Sequence, residues 1–213
     1  CGYRFGWVML VCGILCFILP VSTLLYFTIC FALFFLVESF YGSVNLLAVF
    51  TVALMSPVFQ YFINTFSFPL RLELTQLAGI LFNVAGADVA VKGNVIIHRG
   101  NEFSVDPGCM GLKMMETSLL VGAMLIGFYQ KRFQRQLKIG KLVFYLGLIV
   151  ILNIVANLIR IVLLVQFSVL PGTFTHELTG IICLVMYVFL PAAWLASFII
   201  KRSAGQDNKM VQC

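Results

Sequence analysis

The chain has 213 residues, 62% of them hydrophobic and only 10% charged, with a mean hydropathy of +1.05. Soluble domains carry roughly 25% charged and 45–50% apolar residues, so composition excludes a soluble globular protein and, at this length, a large soluble catalytic domain. The net charge of +6 comes from basic residues clustered between apolar stretches, which reads as membrane topology and not as nucleic-acid binding.

Five stretches of 16 to 33 residues contain no Lys, Arg, Asp or Glu, and a spanning helix needs about 17–25 apolar residues. The expected fold is an all-α polytopic membrane bundle of about six transmembrane helices, with an interfacial helix and a small extracytoplasmic β-hairpin. Residues 6–37 form an apolar run with Pro20 near its middle, expected as two short spans that turn at Pro20. This run is too long for the roughly 7–15-residue core of a secretory signal peptide. A third span is expected from Val44 to Phe62. The segment 66–78 carries Arg71 and Glu73 in its first turns and reads as an interfacial amphipathic helix.

Residues 89–105 change period. They are β-branched and punctuated at Gly93-Asn94 and Gly100-Asn101, the pattern of two or three short strands with tight turns. His98, within them, reads as a solvated residue. Asp106-Pro107-Gly108-Cys109 has the form of a helix start, with Asp106 at the N-cap and Pro107 at the first helical position. Cys109 then falls in the first turn, where free backbone amides and the helix dipole favour a thiolate. Lys113 and Glu116 follow at i+4 and i+7 on the same face, so a polar stripe is expected toward the bundle interior.

The loop Gln130–Lys141 holds five basic residues and no acid, and the last span ends at Lys201-Arg202. Positive-inside bias places both in the cytoplasm, so Gly86–Gly108 and the turn Pro171–Glu177 lie outside. At about 1.5 Å per residue, Arg160 stands roughly 28 Å above Lys141, Cys109 about 33 Å above Lys131, and His176 opens a span that ends 25 residues later at Lys201. Three helices thus carry Cys, Arg and His to one membrane face. Asn157 sits one turn before Arg160. Ionisable residues at such depth are costly unless paired or facing a cavity. Together they suit acyl transfer, with His moving the proton of a Cys thiol and Arg meeting an oxyanion.

Other chemistries have less support. Two His residues without HxxH spacing and no CxxC pair point to no metal and no cofactor. Neither a glycine-rich phosphate loop nor a GxSxG serine site is present. Cys12, Cys16, Cys30 and Cys183 lie in apolar spans as small hydrophobes. A thiol redox role for Cys109 would need Cys183 as its resolving partner, deeper in the bilayer.

Three ordered blocks resemble the exosortase/archaeosortase family of multi-pass prokaryotic membrane enzymes. Val105-Asp-Pro-Gly-Cys-Met-Gly-Leu-Lys113 is similar to the family's A-C-S-G-[LI]-R block, with Gly108, Met110 and Lys113 in place of Ala, Ser and Arg. Asn157-Leu-Ile-Arg160 is similar to N-x-x-R, and His176-Glu-Leu-Thr-Gly180 to H-x-x-x-G. The match covers roughly residues 57–200.

The resemblance implies a sortase-like cysteine protease/transpeptidase of the cytoplasmic membrane, acting on its extracytoplasmic side. Its partners would be membrane lipid and exported proteins bearing a C-terminal motif, a transmembrane helix and a basic tail. An acceptor lipid or glycan would take the product, and no nucleic acid is involved. Cys109 would be the nucleophile, His176 the general base and acid, and Arg160 the oxyanion or substrate stabiliser, with Asp106, Lys113, Glu116 and Asn157 supporting. Residues 1–213 would then form one integral membrane domain: N-terminal spans 1–64, interfacial helix and outer hairpin 66–108, catalytic spans 109–200 and cytoplasmic tail 201–213. The alternative is a non-enzymatic membrane protein, an assembly factor or small transporter, with a structural Arg160–Glu177 pair.

Overall fold

The computed structural model describes residues 4–19, 21–42, 44–87, 89–98, 100–105, 112–134, 137–169 and 172–210. The chain divides into two compact units, Cys1–Thr65 and Phe66–Cys213. The first holds a pair of apolar helices, α1 (Arg4–Ile18) and α2 (Ser22–Tyr41), which pack on one another. Phe5 of α1 stacks on Phe31 of α2 at 6.2 Å. Two helices, not one long one, therefore occupy residues 6–37; Pro20 itself lies outside the described residues.

A short helix follows, α3 (Leu46–Leu54), capped by Asn45, whose side chain accepts from the Leu47 amide. Helix α4 then runs from Pro57 to Val84, bent by 56° from α3. This differs from the expected span 44–62 and separate helix 66–78. The break falls earlier because Ser56 caps the next helix, its hydroxyl accepting from the Phe59 amide at 3.2 Å, and Pro57 suits the first helical position. Pro69 lies inside α4. Its missing N–H removes one backbone bond, and the helix continues on either side.

In the second unit, β1 (Val89–Lys92), β2 (Val95–His98) and β3 (Asn101–Ser104) form an antiparallel meander. Gly93 adopts φ +60° in the first turn and Gly100 φ +78° in the second, conformations that favour glycine. Asn101 belongs to β3, one residue past the turn expected there. Val91 faces Ile96, which faces Phe103, so one sheet face is apolar. It packs with Leu74, Ala78 and Phe82 of α4 into a core. Gly79 lets Val91 rest directly on the α4 backbone.

Helix α5 (Leu112–Phe133) ends in Lys131 and Arg132. Its neighbour α6 (Ile139–Gln166) is uninterrupted over 28 residues, about 42 Å of helix. The last helical run comprises α7 (Phe174–Leu184), a π-helical turn (Val185–Phe189) and α8 (Leu190–Met210). Gly122 brings α5 against Ile149 and Tyr145 of α6. The fully buried Tyr145 donates its hydroxyl to the Ala192 carbonyl of α8 at 3.3 Å, tying α6 to the last helix.

Among the described residues, Ser22–Phe40, Ile139–Gln166 and Phe174–Lys201 can each cross a membrane by length and composition, and the bent α3–α4 pair makes up to four. The molecule is thus a mostly helical membrane protein with a small three-stranded sheet.

Candidate active site

Helix α6 presents one buried stripe: Asn153, Ala156, Asn157, Arg160 and Leu164. The spacing of three and four residues puts them on a single face. Helix α7 presents a matching stripe of His176, Gly180 and Cys183, and the two helices pack together.

Arg160 is 3% exposed. Its Nη1 reaches the Met114 sulfur of α5 at 3.7 Å. On the other side the guanidinium lies on the α7 backbone: a Cβ at Gly180 would stand 2.8 Å from Arg160 Cζ and 2.8 Å from Met114 Cε. Only glycine leaves this space. Asn157, Gly180, Cys183 and Met114 line a very small cavity with Arg160. Asn157 is buried, and neither its carboxamide oxygen nor its nitrogen has a hydrogen-bond partner. Below it, Asn153 accepts from Ser118 at 3.1 Å and donates to the Ile149 carbonyl at 2.9 Å. A polar line thus runs from Arg160 down between α5 and α6.

His176 opens α7, where the Thr173 side chain caps the helix by accepting from the His176 amide at 3.3 Å. Its imidazole is 8% exposed and lines a second small cavity with Phe103, Ser104 and Val105, and with Ile161 and Leu164 of α6. Gly180 stands one turn below His176 on the same face, so the imidazole and the guanidinium occupy successive levels of one helix–helix seam. Helix α6 is continuous over the count from Lys141 to Arg160, whereas the count from His176 to Lys201 crosses the π-helical turn.

The other expected site residues separate into three cases. Asp106 and Cys109 lie outside the described residues. Lys113 is exposed and Glu116 half-buried. On α5 it is Met114 and Ser118, not Lys113, that turn toward Asn153 and Arg160. Glu177 is exposed on α7, whereas Arg160 is buried against Gly180 and Met114, which separates the two members of the alternative structural pair.

His98 requires a correction. It is 4% exposed and stacks on Phe82 at 5.7 Å, so it is not a solvated residue. The two-residue period of β2 places it on the same face as Ile96, opposite Val89. That alternation was the available signal. Gly180 and Met114, which hold the guanidinium, carry no charge or reactive group, and for Met114 nothing local to the sequence distinguishes it from a core residue.

Among the described residues no group of three or more His, Cys, Asp and Glu side chains is placed to hold a metal ion.

The model of the transmembrane exosortase family matches residues 2–193. The chain belongs to the transmembrane exosortase family. No curated protein and no solved structure shows significant similarity to it. As an exosortase it is a membrane protein of a family whose members are generally cysteine transpeptidases.

Proposed function

We propose that this exosortase is a membrane-embedded cysteine protease/transpeptidase that cleaves C-terminal sorting signals of exported proteins at the outer face of the cytoplasmic membrane. The observation that carries the reading is the burial of Arg160 and His176 on the packed faces of α6 and α7. An arginine and a histidine buried in a membrane bundle mark a functional position by default. The exposed position of Glu177 speaks against the structural Arg160–Glu177 pair of the alternative reading.

Cys109 is the nucleophile in this proposal. Val105, four residues before it, lines the cavity of His176, and Met114, five residues after it, touches Arg160.

The steps follow from these groups. The His176 imidazole takes the proton of the Cys109 thiol, and the thiolate sulfur bonds to the scissile carbonyl carbon. The carbonyl electron pair moves to oxygen, where Arg160 offers charge-assisted N–H donors. Collapse breaks the C–N bond, and the imidazolium returns its proton to the leaving amine. Water, or the hydroxyl or amine of an acceptor lipid or glycan, deprotonated by His176, then bonds to the thioester carbon; the C–S bond breaks and the Cys109 thiolate takes the proton back from His176. Asn157 and Asp106 support the site in this proposal, whereas Lys113, exposed on α5, takes no part in it. The proposed topology has about six spans with Gln130–Lys141 and Lys201-Arg202 inside.

The test compares the C-termini of exported proteins by mass spectrometry in cells carrying wild type or Cys109→Ala. A set of proteins that keeps its C-terminal helix and basic tail only in the variant is the expected result. Identical C-termini, with both proteins present in the membrane, would overturn the proposal.

A further inference from the structure

His98 takes no part in the chemistry proposed above. Its imidazole is more than nine-tenths buried, and neither ring nitrogen has a hydrogen-bond partner. A buried polar group in that condition is costly, and it marks a place where a partner belongs. His98 stands in the wall of an open cavity of about 920 Å³, within the roughly 300–1,000 Å³ usual for sites that hold one small molecule. The remaining wall is built largely of apolar residues from four elements, Leu81 and Ala85 of α4, Ala90 of β1, Ile97 of β2 and Val162 of α6, together with Gln166.

Two features indicate what enters. Leu81, at the cavity wall, and its neighbours Ile80 and Val84 on α4 are large apolar residues that are all exposed. In a membrane-spanning chain such residues face hydrocarbon, so the cavity communicates with the bilayer. Val162 also stands 21 residues beyond Lys141 on an unbroken helix, about 31 Å of rise and therefore near the edge of a hydrocarbon layer about 30 Å thick. A molecule held there has its apolar body in the layer and its polar end at the boundary.

We propose that this cavity binds a membrane glycerolipid, with a headgroup phosphate oxygen accepting from the His98 imidazole and an acyl chain lying along Leu81, Ala85, Ile97 and Val162. The ring nitrogens hold no protein partner, so a turn of the ring toward the cavity breaks no hydrogen bond. Val162 projects about 200° around α6 from Arg160, so the lipid lies on the far side of that helix from the proposed acyl-transfer centre. The site stands or falls separately from the proposed enzymatic activity.

The test uses the full chain in maltoside detergent micelles, which carry no phosphate, doped with phosphatidylglycerol that carries a photoreactive diazirine on its acyl chain. Labelling at Leu81, Ala85 and Val162 is expected to saturate at a lower mole fraction of probe than labelling at Leu25 and Leu33, exposed residues of α2. Ala85→Trp should remove the cavity label and leave the α2 label. Gln166→Trp, at an exposed position, does the same should the first variant fail to fold. His98→Leu should raise the half-saturating mole fraction roughly tenfold, the effect of one lost hydrogen bond to a charged group. Equal dose dependence at the cavity and α2, absent cavity labelling, or an unchanged His98→Leu curve would each overturn the proposal. Competition by inorganic phosphate alone would replace the lipid with a free anion and overturn it as well.

Discussion

At the scale of single residues, Gly180 separates position from chemistry. The atoms that a Cβ there would meet are the ends of the Arg160 and Met114 side chains, which can move without disturbing the helices. Gly180→Ala should therefore leave melting temperature and abundance near wild type while displacing the guanidinium. Misplacement of a reacting group by about 1 Å can cost 10²-fold, and a loss of that order is expected in a processing assay with a C-terminally tagged exported substrate. Undiminished processing would remove Arg160 from the chemistry. Asn153→Ala acts in the opposite sense. It removes the hydrogen bond to Ser118 at a cost of about 0.6 kcal/mol, the average for polar contacts between membrane helices, and processing should persist. Reversible unfolding in mixed micelles measures the first quantity and the same substrate assay the second.

At the scale of elements, the α5–α6 seam depends on close approach. Gly122 has no room for a side chain beside Ile149 and Tyr145, so Gly122→Leu should destabilise by about 1–3 kcal/mol through overpacking, visible as a lower melting temperature in detergent. Helix α4 offers a stabilising counterpart. Pro69 interrupts its hydrogen bonding without ending it, and a helix-interior proline costs up to about 3 kcal/mol relative to alanine. Pro69→Ala should raise the melting temperature; had the helix ended at this position, the change would be neutral. Thr173 caps α7 at the residue pair that positions His176, and loss of such a cap costs about 1 kcal/mol. The inward facing of Arg160 and Asn157 was legible, because polar and ionisable residues within an apolar helix are costly unless they face the bundle interior. The inward face of α5 was not. The stripe i, i+4, i+7 from Cys109 pointed to Lys113 and Glu116, but packing against Asn153 and Arg160 turned Met114 and Ser118 inward. Helix periodicity says which residues share a face, and neighbours decide which way that face points.

At the scale of the molecule, the proposed topology can be read with reporter fusions. A cytoplasm-active fluorescent reporter joined after residue 136 should be bright, and a periplasm-active phosphatase joined after residue 100 or 172 should be active. The reverse pattern would invert the bundle and put His176 and Arg160 on the wrong side for exported substrates. The membrane character, the helix break around Pro20 and the strands of 89–105 all followed from the chain itself. Apolar run length, charge bias and residue period are local properties, and the bilayer reads them locally. Only the tertiary structure decided that α4 continues through Pro69, that His98 is buried on Phe82, and that Gly180 lets the guanidinium lie on α7. Each of these depends on residues distant in sequence meeting across a packed seam, where the fit between two surfaces outweighs what either segment prefers alone.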